Sequence, residues 1–204
     1  MVVSQALDLG AATLGESGAR RMHPRIKPAW PGARVAGPVS PVRCSPGDNL
    51  AIHVAVTRAP SGSVLVADMG GARDYGYWGE VLTTAAEARG IAGLVIDACV
   101  RDSDALAAHG FPVFSTGLAL TGATKLRPGA IDLPVTVGDV AVEPGDWVVG
   151  DADGVVIVPG PELDAVLAAG RARADKEAAL FETLRAGGTT VDAFGLDTSL
   201  VEGS

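Results

Sequence analysis

Cysteine is almost missing from this chain. Its 204 residues hold only Cys44 and Cys99, far apart and without CxxC spacing, which excludes a disulfide framework and a thiolate zinc site. Histidine is nearly as scarce: His23, His53 and His109 stand alone, support no zinc site, and are read as surface or satisfied core residues. No apolar run approaches the roughly 20 residues a membrane-spanning helix requires. The opening "MVVSQALDLGAATLGES" has neither a basic segment nor an unbroken apolar stretch, so a soluble, cytoplasmic protein with no membrane partner is expected. Positive charge is short as well. A net charge of −8 would repel a phosphate backbone, and the basic cluster "RRMHPRIK" at 20–27 reads as a solvated face, so no nucleic-acid partner is expected. Lys27, Lys125 and Lys176 lack a context that would desolvate an amine, which argues against Schiff-base chemistry. "VLVADMGGA" lacks the GxGxxG pattern of a dinucleotide site.

What is present suits one compact unit: residues from AVILMFWYC make up 48%, and Gly and Pro are spread throughout instead of gathered in a linker. The pattern predicts a short helix near 4–12, a helix over 49–58 with Asp48 as N-cap, a strand at 63–69, a helix at 77–90, a strand at 92–98, a short helix closed by Gly110 and a strand at 111–117. "LPVTVGD", "DWVVGDADG" and "GVVIVP" read as hairpin-linked strands, with Asp151 and Asp153 shaping a turn. A long helical segment follows over about 160–187, with a possible break at Gly170. The class is mixed α/β, part parallel and part antiparallel.

The informative stretch is "GLVIDACVRDSDAL", residues 93–106. In a right-handed crossover the helix at 77–90 starts at the edge where both flanking strands end. Its first turn therefore brings Glu80 back to Arg101 and Asp102, and its unpaired backbone N–H groups to the same edge, where open α/β sheets bind ligands. Two readings stay open on spacing alone. Asp102 could be a helix cap, Glu80 a first-turn acid and Arg101 their neutralising partner; or the oxygen ligands could hold a hard divalent cation, Mg²⁺ or Mn²⁺. Asp68 and Asp97 are read as turn and hydrogen-bonding groups. Trp78 is a candidate pocket wall, and Tyr75 and Tyr77 lie in a loop that could close over a substrate.

The run "LVADMGGARDYGYWGEVLTTAAEARGIAGLVIDACVRDSDALAAHGFPVFSTG" resembles the RraA-like family, which holds the 4-hydroxy-4-methyl-2-oxoglutarate and 4-carboxy-4-hydroxy-2-oxoadipate aldolases and the regulator of ribonuclease E activity A. The resemblance is strongest over 48–160, and "PGDWVVGDADGVVIVP" fits it. It implies a single RraA-like domain over 1–204 with a swivelling β/β/α-type fold, assembled as a homotrimer or hexamer. For the aldolase branch it implies a metal-dependent (class II) lyase that cleaves a 4-hydroxy-2-oxo diacid to pyruvate, with oxaloacetate decarboxylation as a side activity. By the match, Asp102 would hold Mg²⁺ or Mn²⁺, Arg101 would bind the pyruvyl carboxylate or enolate oxygen, and Glu80 would act through metal-bound water. Gly79, Val81 and Leu82 would hold the substrate carboxylate by their backbone, and Glu177 would reach the metal through water from a neighbouring subunit. One departure stands out: the aldolases carry Asp where this chain has Glu80. The family's other branch implies a non-catalytic regulator that binds a ribonuclease or helicase complex.

Overall fold

A computed structural model describes residues 1–201 and 203. In chain order the helices and strands are α1 (Val2–Gly15), β1 (Arg20–Arg21), β2 (Lys27–Pro28), β3 (Val35–Arg43), α2 (Leu50–Arg58), β4 (Val64–Asp68), α3 (Glu80–Ala88), β5 (Gly93–Ile96), β6 (Cys99–Val100), α4 (Ser103–His109), β7 (Val113–Ser115), β8 (Gly117–Leu118), β9 (Ala130–Ile131), β10 (Val135–Val137), β11 (Val140–Val142), β12 (Trp147–Gly150), β13 (Val155–Val158), α5 (Leu163–Arg185) and α6 (Thr190–Phe194).

The large sheet runs β1-β13-β12-β3-β4-β5-β7-β2, with β9 paired to the far end of β3. Its centre, β3-β4-β5-β7, is parallel, because α2, α3 and α4 each return the chain before the next strand begins. The flanks are antiparallel, since β12 and β13 form a hairpin against β3. Alternation along the strands divides the interior. Leu65, Ala67, Leu94 and Ile96 face a core with α2 and α3, whereas Val64, Val66 and Val95 face one closed by Ile26, Phe114 and the β10–β11 hairpin. That hairpin turns through Gly138 and Asp139, both at positive φ (56° and 65°), as a two-residue loop between twisted strands demands. A third core packs α1 and α5 on β12 and β13.

Several boundaries differ from the sequence pattern, each for a local reason. Helix α3 starts at Glu80 instead of 77, because Tyr77 and Trp78 run extended beside 99–101: Tyr77 N–H donates to Cys99 O (3.2 Å) and Arg101 N–H to Trp78 O (2.9 Å). Helix α5 continues through Gly170. A Cβ there would sit 3.1 Å from Leu9 Cδ1, so this glycine lets α1 approach closely and does not break the helix. Helix α1 is longer than 4–12 but kinks at Gly10 (φ 78°, ψ 165°), and the Ala11 N–H beside the kink donates to Asp151 Oδ2 at 2.7 Å. Asp151 also takes the Asp153 N–H (3.0 Å), as a hairpin-shaping residue should. The N-cap position of α2 is held by Asn49, without a side-chain cap bond, and not by Asp48. Asp48 is buried and clamps a distant loop instead, accepting from Thr124 Oγ1 (2.7 Å), Leu126 N–H (2.6 Å) and Arg127 N–H (3.1 Å) as well as from Leu50 N–H (2.9 Å). Burial alone would raise its pKa; these hydrogen bonds outweigh that and hold it at about 2.

Candidate active site

The crossover between β4 and β5 assembles the edge. Strand β5 stops at Ile96, the chain turns through Asp97 and Ala98 into β6, and Arg101 and Asp102 follow at once. Asp102 holds a left-handed backbone (φ 59°, ψ 40°) without capping α4 through its side chain. A non-glycine residue there is strained unless its surroundings enforce it. One enforcing contact is the Glu80 N–H, which donates to Asp102 Oδ2 at 3.1 Å across 22 positions of sequence. The start of α3 and the Arg-Asp pair thus meet as the topology requires.

Two glycines make that approach possible. A Cβ on Gly79 would lie 2.2 Å from Asp102 Oδ2 and 3.1 Å from Arg101 Cγ, and one on Gly76 would lie 2.4 Å from Ala119 O and 3.1 Å from Arg101 Cβ. Arg101 is left loosely paired, with Nε 3.7 Å from Asp102 Oδ2 and both side chains more than 40% exposed. The guanidinium borders a cavity of about 230 Å³ whose wall includes Gly79, Val81 and Leu82. Thr83 N–H is the first to bond back into α3, to Gly79 O (3.1 Å), so the Val81 and Leu82 amides precede the helical ladder and suit a carboxylate. On its other side Arg101, with Asp102, borders a second cavity lined by Ser103, Asp104 and Leu118.

Other candidates fall elsewhere. The Glu80 carboxylate turns toward His109, with Oε1 3.6 Å from Nε2. His109 is bound more closely by Glu87, at 2.8 Å, so it is not the isolated residue its sequence context suggests. Glu177 pairs with Arg173 (2.9 Å) on α5 and lines a separate pocket with Phe181 and Phe194. Tyr77 is not a mobile lid: it is buried, its hydroxyl donates to Ala72 O (2.7 Å), and it accepts from Gly47 N–H (2.9 Å). Trp78 is fully buried, stacks on Phe111 and donates to Thr83 Oγ1 at 2.7 Å, yet it also contributes to the cavity wall. Asp97 is held by Arg25 and Arg73, and Asp68 takes the Gly70 N–H (2.9 Å), both as hydrogen-bonding residues. The sequence pattern missed Asn49, His53 and Lys125, which complete the wall around Arg101. The signal was there in "NLAIH": Asn49 and His53 stand four apart at the start of a helix and so share a face.

Residues 3–157 match the family model described as RraA-like, Aldolase/RraA. The chain belongs to the RraA-like family. It is 38% identical over 154 residues to a Halalkalibacterium halodurans protein named "Putative 4-hydroxy-4-methyl-2-oxoglutarate aldolase", covering 75% of this chain and 73% of that one. Among solved structures, an uncharacterized protein from Pseudomonas syringae superposes with a TM-score of 0.81 at 30% identity, over 92% of this chain and 94% of the other. The RNA-processing inhibitor RraA from Thermus thermophilis superposes with a TM-score of 0.62 at 29% identity, over 70% and 85%. The mixed α/β fold is therefore that of RraA-like proteins. Among the described residues, no helix is long and apolar enough to cross a membrane.

Among the described residues no three His, Cys, Asp or Glu side chains are placed to hold a metal ion together, so a divalent ion is not offered a cage made wholly of protein ligands. Asp102 fits a less demanding role. It is partly exposed, and its Oδ1 is not the oxygen that takes the Glu80 amide. A hard cation that keeps several of its waters needs one or two such carboxylates.

Proposed function

We propose that this chain is a divalent-metal-dependent aldolase that cleaves a 4-hydroxy-2-oxo diacid, such as 4-hydroxy-4-methyl-2-oxoglutarate, to pyruvate and a second 2-oxo acid. The observation that carries it is the open Arg101–Asp102 pair beside the amides that begin α3. The similarity to proteins named as aldolases supports the same reading. Mg²⁺ or Mn²⁺, held by Asp102 with Glu80 acting through water and Glu177 of a neighbouring subunit in a homotrimer or hexamer, would supply Lewis acidity toward the 2-oxo acid.

The chain's own groups do the rest. The Val81 and Leu82 amides, with Gly79 giving them room, hold the substrate carboxylate. Glu80, once its carboxylate leaves His109, takes the proton from the 4-hydroxyl through a water; the C4–O bond becomes a carbonyl as the C3–C4 bond breaks, and its electron pair leaves as the enolate of pyruvate. Arg101 offsets the charge that develops on the enolate oxygen, and such groups are commonly worth ~10²- to 10³-fold each. Protonation at C3 completes pyruvate. Decarboxylation of oxaloacetate produces the same enolate, so one site serves both reactions.

The test is pyruvate release from 4-hydroxy-4-methyl-2-oxoglutarate and from oxaloacetate by the purified protein. Activity with Mg²⁺ or Mn²⁺ that is lost on EDTA treatment and restored by the ion is the expected result; equal rates with and without EDTA would remove the metal-enolate reading. A second reading, a non-catalytic regulator binding a ribonuclease or helicase complex, draws on the likeness to the RNA-processing inhibitor. It predicts no pyruvate from either substrate above the background given by the same metal without protein.

A further inference from the structure

The cavity beside Arg101 has a second polar wall that the proposed chemistry leaves unused. Asn49 stands at the N-cap position of α2, makes no cap bond with its side chain, and is only 5% exposed. Its Nδ2 donates to Tyr77 O at 2.8 Å, which fixes the amide and leaves Oδ1 as an acceptor. That Oδ1 is buried with no hydrogen-bond partner among the described residues, and so is Nε2 of His53, one helical turn further on. Both residues line the cavity, as does Lys125 from the opposite loop. A buried polar atom without a partner keeps the full cost of its lost hydration. Two on one wall of one cavity point to a ligand that supplies the missing bonds.

Their chemistry narrows that ligand. Asn49 Oδ1 needs a donor and would repel a bare carboxylate. Burial and the nearby Lys125 ammonium lower the His53 pKa, which keeps its imidazole neutral and able to bond an oxygen. Lys125 adds a fixed positive charge at the exposed end of the wall. A hydroxyl has the chemistry for both orphaned atoms: on binding it donates to Asn49 and accepts from His53 in its Nε2-protonated form, and it turns its proton away from Asn49 only as the C3–C4 bond breaks; a neighbouring carboxylate meets the lysine.

We infer that Asn49, His53 and Lys125 form a specificity subsite for the 2-hydroxy-carboxylate end of the diacid, opposite the amides that take its 2-oxo-acid end. The subsite rests on the aldolase reading for the identity of the whole substrate, but its hydroxyl preference stands on this wall alone. Both orphaned atoms are closed to solvent, so the hydroxyl reaches them as the side chains of this wall give way.

Calorimetry tests this with two probes that differ only in the hydroxyl: 2-hydroxy-2-methylbutanedioate and 2-methylbutanedioate, each titrated with Mg²⁺ present. Wild type is expected to bind the hydroxylated probe about tenfold more tightly, the scale of one or two net hydrogen bonds. His53→Leu and Asn49→Ala should each bring the ratio near one, and Lys125→Met should weaken both probes without changing the ratio. His53→Leu keeps the question answerable if Asn49→Ala, which also loses the bond to Tyr77, fails to fold. Equal binding of the two probes by wild type, binding of neither, or a ratio that survives His53→Leu would overturn the inference. Pyruvate release without hydroxyl preference would remove the subsite and keep the aldolase; hydroxyl preference without pyruvate release would do the reverse.

Discussion

Two arginine–aspartate groups sit at the same end of β5, and they are built in opposite ways. At Asp97 both carboxylate oxygens are taken: Arg25 donates from Nε (2.9 Å) and Nη2 (2.8 Å), Arg73 from Nε (2.8 Å) and Nη2 (3.2 Å), and the Gly138 N–H adds a 3.3 Å contact. Asp97 is buried, and burial would push its pKa up, but the two guanidiniums overcome that and hold it well below the usual carboxylate range. Five residues further on, Asp102 has one backbone donor at 3.1 Å and one long contact to Arg101 at 3.7 Å, on a left-handed backbone. A closed pair joins β5 to the β2 approach, the 70–76 loop and the β10–β11 hairpin. An open pair leaves both charges free to meet something else.

The largest expected effect follows from that openness. Arg101→Ala and Asp102→Ala should each lower pyruvate formation by about 10³-fold or more, while thermal melting shifts by less than about 1 kcal/mol in stability because exposed pairs contribute little. Melting curves and a coupled pyruvate assay read both. A variant that loses activity only because it unfolds would erase the distinction between the two groups.

Asp97→Asn should behave in the converse way. Removing the charge leaves Arg73 facing a neutral amide and Arg25 paired only with Asp139, at a cost on the order of 1 to 3 kcal/mol, seen as a lower denaturation midpoint while the folded fraction keeps the Arg101 chemistry. The pH dependence has a definite sign. Because the folded pKa of Asp97 is depressed, its contribution is full above the unfolded carboxylate value near 4 and is lost as pH falls below it. Asn at this position should flatten that acid limb.

A smaller effect sharpens the comparison at the backbone. Gly79 has φ −164°, an extended value that any residue adopts, so its role is space: the added Cβ of Gly79→Ala would meet Asp102 Oδ2. The open pair must then shift by about an ångström, which commonly costs about 10²-fold in rate. The closed pair, which does not touch Gly79, should keep its stability contribution.

Much of this was legible before any coordinates. Helix α3 and strands β4 and β5 follow from an apolar run, a helical period and Gly90, and a right-handed crossover then brings the Glu80 backbone to Asp102, though its carboxylate faces His109. The closed network was not legible, since Arg25 lies in a run that reads as a solvated basic face, and nothing local marks it as the partner of Asp97 across 72 positions. Asn49 and His53 were missed for a similar reason. Their spacing shows a shared helix face, but only packing shows that the face lines a cavity and lacks partners.

The smallest effect concerns a third charged group, intermediate between the other two. His109, which ends α4, faces Glu87 at 2.8 Å and Glu80 at 3.6 Å, both on α3. The Glu87 hydrogen bond, reinforced by Glu80, raises its pKa. A raised folded value means that the stabilisation is full below the unfolded histidine value near 6.5 and fades as pH rises through the folded one. His109→Gln should therefore lower the melting temperature slightly at pH 6 and hardly at all at pH 9. Should the loss persist at pH 9, packing and not charge would join α3 to α4 here. Glu80 would then be as free as Asp102, and both carboxylates at this edge would belong to the open group.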